Sequence, residues 1–586
     1  MFLREIKVRR KSGKVYRWWV VIKTYWDKEK KKVRHRVIHN LGRLTEKEVN
    51  ILKTLISLKD ISEDSFITSL GEIKIKGSYE YLIVVILDKL WYLWGLDKIT
   101  DFKNTGKLSY SFISKVLVLN RAISPASDLR VCDWYKETIL EKLYKVDSSL
   151  VNPTRIYRTL DKLFTREKEI QRHIREKIEA LGLDDFRLVF YDITSSWFEG
   201  GRCSLAEYGL SRDKRKDKKQ LLLALGVTKQ GYPFYWKVLP GSIHDCLTVC
   251  EAIDSFKREE GIENFIVVMD KGMVSNDNLK YLEENKLFYI VSIGRHQIRR
   301  LSGFPSVLLK ELGERIEKGE DINRIMEEYP YFTYFSERAY YHQLETEGKR
   351  RYILCFNPEK FLEERHQREE KIKSINQYLT KLNEKLKKAK RTKDKKIIEK
   401  EIYTYLKKRE AERYFNIKVI GRKKKGLTIY QINWEINEEK LNRIKITDGL
   451  WGIVTNLDKD KSADFLISCY LSRRKVESAF HYLKGFIEIR PFYHHKEDRI
   501  KSHILVCILS YFLQITLENL LKKKGYNFTF REFVNKVREV KAVELEVKNV
   551  KKRDIKLTEI QEEIKRILKD LNMEDLMYEN FIKNLI

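Results

Sequence analysis

Hydrophobic and polar positions change period several times along the chain. Residues 1–45 alternate basic residues with aromatic and β-branched ones, as in Val15-Tyr16-Arg17-Trp18-Trp19-Val20-Val21-Ile22, and predict a small β-rich, basic N-terminal segment. Over 46–181 the period becomes helical, most clearly at 79–94 and 110–121. Pro125 and Pro153 each stand just ahead of a new helical run. The run 154–174 is amphipathic and basic.

The middle of the chain reads differently. Residues 186–193 (FRLVFYDI) form a short apolar run that predicts a strand. Two further strands over 220–228 and 233–239 meet at a Lys229-Gln230-Gly231 turn and predict a hairpin. A helix over 244–257, a strand at 264–270 (NFIVVMD), a helix near 276–284 and a strand at 287–293 follow. That order is the order of a ribonuclease H-like fold, so the expected class is α/β with a mixed five-stranded sheet and flanking helices.

The core is interrupted at 295–447 by a segment of changed period and higher charge, read as an α+β insertion. Within it Ile372, Ile375, Leu379, Leu382, Leu386 and Ala389 recur at steps of three and four. Ile398, Ile402 and Tyr405 answer them beyond a basic turn at 390–395, which predicts an antiparallel helical hairpin. A strand at 450–455 and one long helix over 462–484 then resume the core. The expected domains are 1–45, a helical DNA-binding region 46–181, core 182–294, insertion 295–447, core 448–522, and a basic helical tail 523–586.

Composition narrows the function. Among 586 residues, 117 Lys+Arg oppose 85 Asp+Glu, a formal net charge of +32. Such a surface calls for a polyanion, and nucleic acid is the usual one, though charge alone does not separate DNA from RNA or acidic lipid. The 42% hydrophobic and 12% aromatic content supports large cores rather than a disordered chain. Seven scattered cysteines contain no C-x-x-C pair. His244, Cys246 and Cys250 lie close together but lack a second pair for tetrahedral zinc, so the cysteines read as ordinary thiols. The apolar run 503–521 carries Gln514 and Glu518 and reads as a buried core helix, not a membrane span. Nothing at the N-terminus reads as a signal peptide, and the expected location is cytoplasmic.

Candidate chemistry lies in three carboxylates. Asp192 stands near the end of the first core strand and Asp270 closes the strand FIVVMD, so neighbouring strands would bring both to one rim. In the helix that follows the insertion, Tyr470, Arg473, Glu477 and Lys484 fall within an arc of about 60° at 100° per residue. Cys469, Val476, Phe480 and Leu483 form an adjacent apolar stripe that would anchor this helix. A carboxylate flanked by two cations and a phenol suits cleavage of phosphodiesters. An amphipathic helix with salt bridges has the same pattern.

The series Tyr470-x2-Arg473-x3-Glu477-x6-Lys484 resembles the signature of the insertion-sequence family 4 transposases. So do YDITSSWFE around Asp192, MDKGMVSND around Asp270, and Thr455-Asn456. More narrowly, Leu41-Gly42-Arg43, Tyr208 to Asp213, Gln220, Gly231-Tyr232-Pro233, Pro240-Gly241, Asp245 and Asp448-Gly449-Leu450-Trp451 are similar to the branch named for insertion sequence 1634. The resemblance implies a transposase that cleaves DNA at terminal inverted repeats and joins 3′-hydroxyl ends to target DNA, on a cut-and-paste course. It implies a homodimer and two Mg2+ (or Mn2+) ions held by Asp192, Asp270 and Glu477. It also implies phosphate contacts from Tyr470, Arg473 and Lys484, and an insertion that helps to bind DNA ends. Two readings stay open for the basic loop of Arg212, Lys214, Arg215 and Lys216, a DNA-facing segment or a solvated loop, and likewise for 154–174. For Asp245 and His244, which follow Gly241, the readings are an approach to the site or a helix cap, and the cap is the expected one.

Overall fold

We analysed a computed structural model of the chain. It describes residues 1–578 except 10, 12, 58–72, 103–107, 185, 200–201, 211, 213–214, 259–264, 274, 330, 337–338, 345–349, 389–393, 425–426, 491, 493 and 548–551. The chain divides into two units, Met1–Gly77 with Glu544–Asp554, and Ser78–Val543 with Ile555–Ile586.

In the first unit, β1 (Phe2–Arg9), β2 (Val15–Asp27) and β3 (Lys32–Gly42) form an antiparallel sheet in sequence order. The alternation at 15–22 places Val20 and Ile22 inside, while Tyr25 and Trp26 of the same strand are exposed. Helix Glu46–Ser57 begins with a capping box: Glu48 accepts from the Thr45 amide (2.7 Å) and Thr45 Oγ1 accepts from the Glu48 amide (3.3 Å). β4 (Ile73–Glu80) belongs to a separate three-stranded sheet described below.

The second unit is mixed α/β, built on one large mixed sheet. Its strands are β5 (Leu188–Trp197), β6 (Gln220–Val227), β7 (Pro233–Pro240), β8 (Ile266–Met269), β9 (Phe288–Ile293), β10 (Thr333–Ser336), β11 (Ala339–Leu344) and β12 (Arg351–Phe356). Past the hairpin β13 (Phe415–Lys424) and β14 (Leu427–Ile436), β15 (Leu450–Thr455) completes it. The order is β10-β11-β12-β15-β9-β8-β5-β6-β7. β5, β8 and β9 run parallel, and every other pairing is antiparallel. Central strands β6, β8 and β9 are buried along nearly their whole length, as strands covered on both faces must be.

The five expected strands are present, but the sheet has nine. The fifth strand is no edge: β15 pairs with β9, Gly452 facing Ile293, and three insertion strands continue from β15. A Cβ on Gly452 would sit 3.0 Å from the Ile293 side chain, so glycine lets the strands pack closely here. Long-range pairing of this kind leaves no local trace in the hydrophobic pattern.

The insertion carries its own small core. Helix Pro358–Lys387 contributes Ile375, Leu379, Leu382 and Leu386, and helix Lys395–Lys408 answers with Ile398, Ile402 and Leu406. Val419 and Ile432 of the β13–β14 hairpin close that core from a third side. Most of the expected basic turn, and Ala389, fall outside the described residues.

Helix Glu497–Lys523 is apolar and long enough to cross a membrane, yet 83% of its most apolar window is buried against the rest of the unit. It packs on helices Tyr110–Ile123 and Pro153–Leu163, with Ser510 and Gln514 donating to the Val118 and Ala122 carbonyls. The expected all-helical tail instead holds β16 (Lys541–Val547) and β17 (Lys552–Leu557), in a sheet of order β17-β16-β4. The alternating KAVELEV run accounts for β16.

Candidate active site

The sheet register builds the first half of the site. β5 and β8 pair in parallel with Phe190 opposite Val268, so two residues on Asp192 and Asp270 reach the same level. β8 and β9 pair with Met269 opposite Val291, which brings Ser292 to that level on the next strand. Asp192 Oδ1 accepts from the Ile193 amide (2.8 Å). Ser292 Oγ donates to Asp270 Oδ1 (2.9 Å) and accepts from the Lys271 amide (3.0 Å), fixing the carboxylate from behind.

The second half comes from the helix expected over 462–484, and that helix is broken. Ala463–Leu471 and Arg474–Lys484 are separate segments joined at Ser472–Arg473. The amides of Arg473, Lys475 and Val476 bond three residues back, to Tyr470, Ser472 and Arg473 (each 3.0 Å), and Ser472 Oγ donates to the Ser468 carbonyl (2.8 Å). Tightened i→i−3 bonds and a back-bonding serine bend a helix without disturbing its apolar period. Tyr470, Arg473 and Glu477 therefore sit before, at and after the bend.

They converge on the aspartates. Arg473 Nη1 lies 3.8 Å from Asp192 Oδ2 and 3.9 Å from Asp270 Oδ2, and Nη2 lies 2.6 Å from Glu477 Oε1. Tyr470 Oη approaches Asp270 Oδ1 at 3.5 Å, with its ring stacked on Trp451 of β15 (5.3 Å between centroids, 29°). Lys484 lies two turns farther along the same helix. It is half-buried and lines a small cavity with Thr194, Ser196 and Leu222, some 10 Å along the helix from Glu477 at 1.5 Å per residue.

Burial pushes the Asp192 carboxyl up to about 6. The Ile193 amide and the Arg473 and Arg212 charges oppose the rise, and Asp270 adds to it. Burial works against the Arg473 charge, but Tyr470, Asp270, Glu477 and Asp192 together hold its pKa above the usual value. Burial likewise raises Tyr470. Three carboxylates around one guanidinium leave a surplus of negative charge and only oxygen donors, the set that magnesium takes. Arg473 stands among these oxygens. Among the described residues, the group with three ligand atoms within 4.8 Å of one another is a different one, Asp128, His494 and His503.

The basic loop adds one residue to the site. The Arg212 amide donates to Ser195 Oγ (2.9 Å) and its guanidinium pairs with Asp245. Asp245 therefore braces Arg212 rather than capping a helix, and His244 makes no side-chain capping bond at its cap position. A Cβ on Gly272 would lie 3.4 Å from Asp245 Oδ2, which puts this pair beside the loop after Asp270. Arg215 bonds to Asp217 (2.8 Å) and lies over the Trp197 ring (5.5 Å), Lys216 is exposed, and Lys214 is outside the described residues. Sequence reasoning missed Ser292. Its one signal is a polar residue in the otherwise apolar strand YIVSI.

Two family models match the chain. The one described as transposase DDE domain matches residues 201–513, and the one described as IS1634 family transposase, N-terminal domain, matches residues 3–64. Asp270, Tyr470, Arg473, Glu477 and Lys484 lie inside the first match, and Asp192 lies before its start. No curated protein matches. Among solved structures, the piggyBac transposase synaptic complex with hairpin DNA is similar at 9% identity and a TM-score of 0.35, over 78% of this chain and 80% of that one. The Mos1 transposase paired-end complex with left transposon end is similar at 10% identity and a TM-score of 0.14, over 39% of this chain and 72% of that one.

Proposed function

The chain belongs to the DDE transposases, of the IS1634 type, and from that premise we propose that Asp192, Asp270 and Glu477 are its catalytic carboxylates. It is a DNA transposase of an insertion sequence, an enzyme of DNA cleavage and strand transfer. The observation that carries the assignment is the gathering of carboxylates from β5, the end of β8 and the bent helix around the single guanidinium of Arg473. The strands β7-β6-β5-β8-β9, two antiparallel pairings followed by two parallel ones, support a ribonuclease H-like core.

Bound magnesium or manganese, two ions per site, supplies activation of the attacking hydroxyl or water and stabilisation of the leaving oxygen. The protein's own residues prepare for it. Ser292 and the Ile193 amide hold the two aspartates in place. Arg473 offsets part of the carboxylate charge in the free enzyme and is positioned to transfer its hydrogen bond from Glu477 to a phosphate oxygen of the DNA. Tyr470, held by Trp451, borders the same space. Arg212, Arg215 and Lys216, with Lys214 on the same loop, contact the DNA backbone, and Lys484 a phosphate farther along the helix. The reaction is hydrolysis at the terminal inverted repeats followed by attack of the freed 3′-hydroxyls on target DNA, a cut-and-paste course in a homodimer holding both ends, in the cytoplasm.

Glu477→Gln keeps the shape of the side chain and removes its charge. On a duplex taken from the ends of the element, this variant is expected to bind as the parent does and to cleave at least about 1,000-fold more slowly, the scale of losing one group that stabilises transition-state charge. Cleavage at the parental rate overturns the assignment.

A further inference from the structure

We propose that Asp128, His494 and His503 form a second metal centre, for a zinc-type ion, separate from the carboxylate triad. Three segments of the second unit supply it. Asp128 opens helix Asp128–Glu137, His494 lies in the segment after the Glu477 helix, and His503 belongs to helix Glu497–Lys523. One ligand atom from each lies within 4.8 Å of the others, and His494 Nε2 is 3.1 Å from Asp128 Oδ2.

Donor chemistry selects the ion. Two imidazoles and a carboxylate suit zinc and its neighbours in the transition series, whereas magnesium keeps to oxygen. Ligands at about 2.0–2.2 Å around a tetrahedral ion stand roughly 3.3–3.6 Å apart. The His494–Asp128 pair, hydrogen-bonded at 3.1 Å, would open by a few tenths of an ångström to take the ion, and the third ligand needs a shift of about an ångström.

His503 strengthens the case because a buried imidazole ordinarily finds good partners. It is 8% exposed, yet the partners of its Nε2 are the Ile489 carbonyl at 3.3 Å and the Cys507 thiol at 3.7 Å, both long for hydrogen bonds. Cys507 is wholly buried one helical turn on, its thiol beside His503. The rings are held by edge contacts, Tyr157 on His494 and Phe492 on His503. Arg121 is buried in the same region and opposes a dication, and the Asp128 carboxylate offsets it. An ion here would tie the segment leaving the catalytic helix to the helical region that precedes the sheet.

The test uses the full chain, stripped with EDTA and titrated with Zn2+, and with Co2+ as a spectroscopic reporter. One zinc per chain is expected, with the visible absorption of tetrahedral Co2+ and a melting temperature raised by roughly 2–5 °C at a hundredfold excess over Kd. All three signals should disappear in His494→Ala and persist in Asp192→Asn and Glu477→Gln. His494→Gln, which keeps bulk and a polar tip, guards against a folding defect and should lose zinc while melting like the stripped parent. Failure to bind at micromolar free zinc overturns the proposal. So does binding unaffected by either His494 variant, and so does binding lost in the triad variants, which would move the ion to the carboxylates.

Discussion

The molecule contains two clusters of carboxylate and guanidinium groups with opposite balance. At the candidate active site one arginine serves three carboxylates, and the side chains of Asp192, Asp270 and Glu477 are 18%, 37% and 49% exposed. At the root of the insertion two arginines serve one carboxylate. Asp448 is fully buried and accepts from Arg365 Nε (2.8 Å) and Arg368 Nη1 (2.7 Å). Glu364 accepts from Arg295 (2.6 Å) and the Gly449 amide (3.0 Å), and Glu317 pairs with Arg365. Gly449 has φ +67°, and a Cβ there would meet the Asn357 carbonyl at 2.7 Å, so the turn is locked onto the start of the long helix. The first cluster is surplus in negative charge and partly open. The second is compensated and closed, and its role is to fix the insertion to the sheet.

Stability should separate the two most sharply. Asp448→Ala leaves the buried Arg368 without its carboxylate and Arg365 with Glu317 alone, and is expected to cost about 3–5 kcal/mol, read as a fall in the urea midpoint. Asp270→Ala removes one of three crowded carboxylates and should change the midpoint little, by less than about 1 kcal/mol, while abolishing cleavage. Equal losses in the two variants would erase the distinction.

The pH response sharpens it. With its carboxyl near 6 rather than the ordinary value near 4, Asp192 binds a proton more tightly in the folded chain than in the unfolded one. Without metal, stability therefore falls as pH rises from about 4 to about 6, and is level above. Asp192→Asn should match the parent near pH 4 and exceed it above pH 6, by on the order of 1–3 kcal/mol. Cleavage runs the other way, because only the ionised carboxylate holds a cation. At limiting magnesium it should fall as pH drops below about 6, and raising magnesium should move that fall to lower pH. A magnesium requirement that stays flat between pH 5 and 7 would remove Asp192 from the metal site.

How far these clusters were legible in the sequence follows the range of the interactions. Asp270 could be read because it closes a local apolar strand and Asp192 because it breaks an apolar run, although β5 runs on past it to Trp197, and parallel register does the rest. Glu477, Arg473 and Tyr470 could be read from helical spacing, which survives a bend made by three short hydrogen bonds, although the bend itself leaves the period untouched. Lys484 shares that spacing and lines a small cavity with Thr194 and Ser196 two turns along the helix. The Asp448–Arg365–Arg368 cluster joins residues about eighty positions apart, and the Arg212–Asp245 pair joins a basic loop to a helix start. No spacing rule announces either. In the motif Asp448-Gly449-Leu450-Trp451, two neighbouring functions are interleaved: Asp448 and Gly449 anchor the insertion, while Trp451 supports Tyr470 at the site.

Ser292 offers the finest test, because it belongs to the open cluster yet is itself buried. Its hydroxyl connects the Lys271 amide to Asp270, so Ser292→Ala frees the carboxylate to rotate and leaves one amide without its partner. Loss of such a hydrogen bond costs about 1 kcal/mol of stability. Groups that orient metal ligands typically change metal affinity by about tenfold or more. The expected outcome is a few-fold to tenfold rise in the magnesium concentration needed for half-maximal cleavage, with a smaller change in the rate at saturating metal. Ser292→Thr, which keeps the hydroxyl, should restore the magnesium requirement. A melting temperature that falls while the magnesium requirement stays fixed would make Ser292 part of the packing, as Asp448 is, and not part of the site.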